Sequence, residues 1–586
     1  MKDFIKYCLA SITGFLIVAF LFLFVGIAIL SGIMIAGSTQ PPITKNSILK
    51  IDLEGVLEER YTDDPLSLLF GESYRSIGLE QVRTAIKNAK HNPNIKGIYL
   101  KSGQLLAGSP AMAEEIRHAL LDFKQSGKFI VAYGDTYTQT GYYICSVADQ
   151  LILNHSGQIA WQGLASEPIF YKDLLQKLGI KMQVFKVGNY KSAVEPFTNT
   201  QMSAANKEQI QSYLGCIWEQ ILTDISVSRG ISKDTLNQYA NDFLSFAPAE
   251  QYVACGMADT LMYIDEVKQY LAQKTNTSNP EKLQIASITD LQEQPLTTTP
   301  EHIAVYYAFG DIVTQPEDWQ QQVISSETVC KDLNALRIDP NVKAVVIRIN
   351  SGGGSAYASE QIWHAIRELQ QEKPVVISMG GMAASGGYYM ACAAGHILSE
   401  PTTLTGSIGI FGIIPDASNL LQDKLGLNFD VVKTNDHADF GSLSRPFNPA
   451  EQQIMQNYVE QGYKLFIKRV AEGRKMSEEK VKNLADGRVW TGRQAITNGL
   501  ADGIGDLDDA VLLAAQLSNA QGCPTQSYPT PKPWYELLLE TRKSDYIHTR
   551  LSEQLGIYYH SLLFLKSINR QNYLQARIPY EPNIQN

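Results

Sequence analysis

The feature that most constrains this 586-residue chain is that it repeats itself once. Ile116-Arg117-His118-Ala119 reads against Ile362-Trp363-His364-Ala365, 246 positions later. The same offset carries Gly141-Tyr142-Tyr143 onto Gly387-Tyr388-Tyr389 with no gap between. Upstream, Pro93-Asn94-Ile95-Lys96-Gly97-Ile98 resembles Pro340-Asn341-Val342-Lys343-Ala344-Val345. Solenoid units run roughly 20–50 residues, so this period means two similar domains in tandem.

Each half has the same order. An apolar strand (Ile95 to Leu100; Val342 to Ile349) precedes an amphipathic helix (Ala113 to Phe123; Ser359 to Leu369). A second apolar strand follows (Phe129 to Tyr133; Val375 to Met379), then a turn into a small-residue helix near the Gly-Tyr-Tyr. Short apolar strands alternating with helices predict an α/β fold with a parallel sheet and crossover helices. The Thr-, Pro- and Gln-rich stretch Thr275 to Glu301 reads as the linker, and Arg229 to Leu244 and Lys475 to Arg488 as charged surface helices outside the repeated cores.

The ends read differently. Tyr7 to Gly37 holds no Asp, Glu, Lys or Arg, and about 20 apolar residues suffice to cross a bilayer. A cleavable signal peptide has an apolar core of only about 7–15 residues, so an uncleaved anchor is expected. Lys2 and Lys6 favour a cytoplasmic N-terminus, although Lys45 and Lys50 follow on the far side. The expected division is residues 1–40 as anchor, 41–290 and 302–520 as the two domains, and 521–586 as a tail of unclear role. The tail has Pro524, Pro529, Pro531 and Pro533, then the mixed stretch Trp534 to Leu565; it reads as a peripheral helix, with a membrane-surface or oligomer contact as the alternative. Net charge is −10, against a nucleic-acid partner. Seven Cys without a C-x-x-C spacing give neither a disulfide scaffold nor a zinc or redox motif.

The halves are most informative where they differ. After its first strand the second half has Asn350-Ser351-Gly352-Gly353-Gly354-Ser355, where the first has Lys101-Ser102-Gly103-Gln104. A glycine run permits positive φ and close approach to backbone N–H groups, or is an ordinary loop. No G-x-x-x-x-G-K-[ST] is present, so P-loop phosphate binding is not supported. Ser385, in Met379-Gly380-Gly381-Met382-Ala383-Ala384-Ser385-Gly386-Gly387-Tyr388, falls on Gln139 of the first half. It is either a helix N-cap or a nucleophile at a helix N-terminus. A serine nucleophile needs a base. His364, His396 and His437 are available but none lies in a recognisable triad motif; a buried lysine, which loses its proton readily, is the other option. Lys191 sits among Tyr190, Ala193, Val194, Pro196 and Phe197. The second half matches Lys186 with Lys433 but has no lysine near the Lys191 position, so one half has the extra lysine and the other the serine.

Three motifs in this duplicated frame resemble the long-form signal peptide peptidase A (protease IV) family of serine proteases: Tyr190-Lys191-Ser192-Ala193-Val194-Glu195-Pro196-Phe197, Ser378 to Tyr389, and Thr405-Gly406-Ser407-Ile408-Gly409-Ile410. The resemblance runs from the anchor to about Leu517. It implies tandem Clp protease/crotonase-like domains, a membrane-tethered homotetramer, and a catalytic domain on the extracytoplasmic face of a bacterial inner membrane. It implies Ser385 as nucleophile, Lys191 as general base, Ser407 as the group orienting the lysine, and oxyanion donors at Gly386 and at Gly353 or Gly354. The expected substrates are cleaved signal peptides or other short apolar peptides, with no metal or organic cofactor. Gly352 departs from the family's proline in Asn-Ser-Pro-Gly-Gly. The alternatives are a non-catalytic membrane scaffold of the same fold and, because crotonases share it, an acyl-CoA enzyme.

Overall fold

The structure is a computed structural model that describes residues 43–60, 76–292, 300–315, 323–530 and 574–578, with scattered positions in 4–25 and at 584–585. The expected anchor, Tyr7–Gly37, is helical at its described positions up to residue 25, and residues 26–37 lie outside the described residues. Among the described residues no helix is long and apolar enough to cross a membrane.

The first half is built on strands β1 (Ser47–Glu58), β2 (Ile95–Ala107), β3 (Phe129–Tyr137) and β4 (Gln150–Ile159). They lie side by side, all parallel, with Ser76–Gly78 outside β1 and Thr260–Leu261 outside β4. The next strand, β5 (Lys181–Lys186), leaves this sheet altogether. The second half repeats the plan with β6 (His302–Phe309), β7 (Val342–Ser351), a short β8 (Gly353–Ser355), β9 (Val375–Ala384) and β10 (Leu404–Gly406). Strands β6, β7, β9 and β10 pair in parallel. β7 is buried at eight of its ten positions, the run expected of a parallel strand with both faces covered.

A third sheet joins the halves. Its order is Val323–Ser325, Asp311–Val313, β8, Gln575–Arg577, Phe411–Asp416 and β5. Phe411–Asp416, which we call β11, pairs antiparallel with β5, Phe411 opposite Lys186 and Asp416 opposite Lys181. A strand of the first half is thereby incorporated beside the second.

The repeated helices are longer than their sequence patterns: α1 (Pro110–Lys124) and α3 (Ala356–Glu372) start at Ser109 and Ser355, whose hydroxyls accept from the amides of Met112 and Ala358. The small-residue helices are α2 (Gln139–Cys145) and α4 (Gly386–Ala391). Buried charge ties the halves together. Arg348 of β7 is 1% exposed; its Nε donates to Glu59 Oε2 at 3.0 Å, and its Nη2 contacts Glu115 of α1. Arg83 adds bonds to Glu115 at 3.4 Å and Asp508 at 2.8 Å. Burying charge costs free energy unless it is paired, and here the partners come from opposite halves.

Two expectations change. The linker is not free chain at its start, because Ile285–Ala286 pairs with β1; residues 293–299 are not described. The tail is not simply a peripheral helix. Thr525–Tyr528 joins β6 in parallel and Gln575–Arg577 enters the shared sheet, while Trp534 to Leu565 lies outside the described residues.

Candidate active site

Ser385 is at the point where β9 ends and α4 begins. The register between β7 and β9 slips just before it: Ile349 pairs with Met379, but Ser351 pairs with Ala383. Asn350 holds the bulged turn, its Oδ1 accepting from the Met382 amide at 3.1 Å and its Nδ2 donating to Glu59 at 3.1 Å. Ser385 then adopts φ 55° and ψ −112°, outside the ordinary left-handed well for a non-glycine residue. Its position is that of an N-cap, yet its side chain makes no capping bond. Its Oγ instead lies 2.7 Å from Lys191 Nζ.

Lys191 is delivered from the first half. After β5 has paired with β11, Gly188 takes φ 101° against the backbone of Asp486, and Tyr190 N donates to Asp486 O at 3.0 Å. The chain then turns into the 3₁₀ segment Ser192–Val194 with Lys191 at its head. Its stem runs past two glycines of the second half: a Cβ on Gly487 would lie 2.6 Å from Lys191 Cβ, and one on Gly409 would lie 3.2 Å from its Cδ. Nζ meets Ser407 O at 3.0 Å and Ser407 Oγ at 3.1 Å as well as Ser385 Oγ.

Lys191, Ser385 and Ser407 are all 0% exposed. Burial, with no carboxylate to offset it, pushes the Lys191 ammonium well below its ordinary 10.5. A neutral amine has two N–H donors and one lone pair. Those match the two Ser407 oxygens and the Ser385 hydroxyl.

Several supporting residues carried no sequence signal. Gln209, on the helix Ala204–Arg229, donates to Tyr190 O at 3.1 Å and to Ser192 Oγ at 3.0 Å and accepts from the Val489 amide. Glu195 accepts from Ser203 and Asn206 and locks the turn after Lys191. The segment expected to be a charged surface helix, Lys475 to Arg488, is helical only at Glu478–Leu484, and its end buttresses the site: Ser407 N donates to Arg488 O at 2.7 Å.

The glycines divide. Gly353 has φ 104°, and a Cβ there would lie 2.8 Å from Gly386 N, so these two converge beside Ser385. Gly354 packs against the Ile312 backbone, its close neighbour across the sheet. Gly352 presents its carbonyl to the Ile578 amide at 2.8 Å, a bond that a proline there would keep. The histidines are elsewhere: His364 is exposed, His396 opens the strand paired to Val376, and His437 contacts Glu451 at 3.4 Å. Lys186 Nζ reaches Lys191 O at 3.5 Å, and Lys433 pairs with Asp439 on the surface. Gln139, the counterpart of Ser385, bonds the loop at Gln162 and Gly163. Glu114, His118 and Glu400 bring ligand atoms within 4.8 Å of one another at the junction of the halves. Burial raises Glu114 to about 8 and Glu400 well above its ordinary value, which favours neutral carboxyls, weak ligands for a cation.

The profile of peptidase family S49 matches residues 122–278 and again 367–521, one match in each half. This chain belongs to peptidase family S49. A Clp protease profile matches residues 312–399, the stretch from the strand Asp311–Val313 to the strand after α4. Among curated relatives, Protease 4 of Salmonella typhi is 37% identical over 503 residues, 82% of this chain and 80% of that one. Protease 4 of Haemophilus influenzae is 35% identical over 501 residues, 82% and 81% of the two chains. The chloroplastic serine protease SPPA of Arabidopsis thaliana is 31% identical over 485 residues, 81% and 70%. The duplicated Clp protease-like α/β architecture that the family resemblance implies is therefore that of a serine protease of family S49.

Proposed function

We propose that this S49 protease cleaves peptides through a Ser385–Lys191 dyad split between its two halves. The observation that carries the reading is the 2.7 Å approach of Lys191 Nζ to Ser385 Oγ inside a fully buried site. Neutral Lys191 takes the Ser385 proton as Oγ attacks the scissile carbonyl. The developing oxyanion lies at the Gly353–Gly386 corner, with Gly386 N as the donor next to the nucleophile. The protonated Lys191 then gives its proton to the leaving amine, and Ser407 holds Nζ in line throughout. Water hydrolyses the acyl-enzyme by the same proton path in reverse.

The substrate class is released signal peptides and similar short apolar peptides, presented to an anchored enzyme on the extracytoplasmic face. The charge-free stretch Tyr7–Gly37 supports the tether. A homotetramer is supported by an exposed apolar run, Leu425, Leu427, Phe429, Val431 and Val432, the last 97% exposed. In the repeat this run matches β5, the strand that the first half lends to β11, and we assign it to a second copy of the chain. Light scattering of the purified protein tests that assembly.

The deciding experiment is active-site labelling. A fluorophosphonate or other acylating probe should modify Ser385 and block peptide hydrolysis, and Ser385→Ala should abolish both. Hydrolysis that persists in Ser385→Ala refutes the dyad.

A further inference from the structure

Two acids at the junction of the halves are buried without the partners that buried acids need. Glu114 lies on α1 of the first half, and Glu400 between the strand His396–Ser399 and β10 of the second. Both are 0% exposed. Thr402 Oγ1 donates to Glu114 Oε2 at 2.7 Å. Glu114 Oε1 and both oxygens of Glu400 have no hydrogen-bond partner among the described residues. Leaving a buried polar atom unsatisfied costs free energy, most of all when the group is charged.

The repeat supplies an internal comparison. At the offset of 246, Glu114 falls on Glu360 and His118 on His364, both on α3. There the acid is answered: Tyr389 Oη donates to Glu360 Oε2 at 2.7 Å, and Arg469 Nε donates to it at 3.1 Å. Arg469 is on the helix Pro449–Arg474, which has the same 26 residues as Ala204–Arg229. Aligned at their ends, 474 − 229 = 245 apart, these helices put Asp224 where the second half has Arg469. Tyr143, the counterpart of Tyr389, donates to Asp224 instead of Glu114. The first half has thus exchanged a cation for an anion at this place, and Glu400 adds another acid. Glu115 and Asp506 deepen the negative charge at Glu400, opposed by Arg348, which Glu59 and Glu115 already share.

A third group completes the cluster. His118 is one turn along α1 from Glu114, at the i, i+4 spacing that puts two side chains on one helix face. Its Nδ1 lies 3.8 Å from Glu400 Oε2, and one ligand atom from each of the three residues lies within 4.8 Å of the others. The imidazole is 40% exposed, so it links the closed acids to solvent.

We propose that Glu114, His118 and Glu400 bind a divalent transition-metal ion that fastens the first half to the second. Two carboxylate oxygens and an imidazole nitrogen suit an ion of the zinc class, with water in the remaining position. Metal–ligand bonds of roughly 2.0–2.2 Å set tetrahedral ligands about 3.3 Å apart, so the widest separation closes by about 1.5 Å on binding. As neutral acids the carboxyls are weak ligands; the ion displaces their protons, which pass to solvent. The ion takes no part in the dyad's chemistry, and the inference is independent of that reading. It acts on the joint between α1 and the loop that runs on through β10 to Ser407.

Zinc content and thermal melts of the full-length protein, purified without a polyhistidine tag, test this. Stripped with a chelator and titrated with Zn²⁺, wild type should hold one zinc per chain by plasma mass spectrometry, and its melting temperature should rise with zinc concentration. Loss of an outer partner of a metal site costs about 10–100-fold in affinity, so Glu400→Gln and His118→Ala, which remove ligands, should each weaken binding at least about a hundredfold by calorimetry. His364→Ala, at the counterpart position on α3, should bind zinc as wild type does. Cooperative melts without zinc establish that each variant is folded, and the half-exposed His118→Ala carries the test if Glu400→Gln is not. Zinc held equally by wild type, Glu400→Gln and His118→Ala is surface binding and overturns the site. Wild type that binds none overturns it as well, and leaves the two acids neutralised by protons alone.

Discussion

Replacing Lys191 by methionine separates its chemistry from its packing. Methionine has about the length of the lysine stem and no charge, so it should occupy the channel beside Gly409 and Gly487 with little rearrangement. It cannot accept a proton. General-base assistance is worth about 10²–10⁴ in rate, or roughly 2.7–5.4 kcal/mol at about 1.36 kcal/mol per decade. Lys191→Met should therefore lower kcat by at least about a hundredfold while the fold survives. Lys191→Arg should fail differently. A guanidinium stays charged at any pH a protein tolerates, and no carboxylate contributes at this site, so the substitution buries an unpaired charge at a cost of several kcal/mol.

The same substitution has a pH signature. Unfolded, Lys191 titrates near 10.5; folded, its value is well below that. Between the two values the unfolded chain binds one proton more than the native one. Stability in that window rises with pH by about 1.4 kcal/mol per unit, and falls as pH drops toward the folded value. Lys191→Met lacks this term, so wild type should gain on it as pH rises. Initial rates on a fluorogenic peptide, urea melts at several pH values, and probe labelling of Ser385 supply the readouts. Lys191→Met with turnover within tenfold of wild type would refute the base assignment, and a stability difference independent of pH would refute the depressed lysine.

Ser407→Ala removes one Nζ partner but keeps the backbone carbonyl at 3.0 Å. One net hydrogen bond is worth about 1 kcal/mol, so kcat should fall roughly fivefold with KM unchanged, measured by steady-state kinetics. Arg348→Met takes the guanidinium partner from Glu59 and leaves Glu115 with Arg83 alone at the junction of the halves, and urea melts should show a loss of about 3–5 kcal/mol. Adding Glu59→Gln and Glu115→Gln to Arg348→Met should recover much of that loss, because no buried charge is then left without a partner.

The repeat made the parallel sheets and their helices legible, since strand and helix patterns recur at a fixed offset. It also made Ser385 and Lys191 visible as the places where the halves disagree. What it could not reveal was how the halves meet. β5 has the pattern of an ordinary strand, and nothing in Lys181–Lys186 says that it pairs with Phe411–Asp416 rather than with its own sheet. Gln209 acts through its side-chain amide, but nothing around it in sequence distinguishes it from any other helical glutamine, and the Asp486–Arg488 turn acts through backbone groups, which leave no mark on residue type. Gln575–Arg577 is too short and too polar for a strand signal; its conformation is imposed by the two edges it joins.

The dyad proposed above, divided between the halves, has a physical consequence for when the site exists. Burial alone pushes the Lys191 ammonium toward its neutral form, and that burial depends on Gly409 and Gly487 of the other half. Before the halves dock, the same lysine is solvated and protonated, and Ser385 has no base. The free energy that removes water from Lys191 therefore comes from the interface, through the β5–β11 ladder and the Arg348 cluster. A folding intermediate with one half formed carries a serine or a lysine, and neither alone can attack a peptide bond. By that reading, proteolytic chemistry is coupled to completion of the fold, which spares the chain's own unfolded segments while either half is still forming.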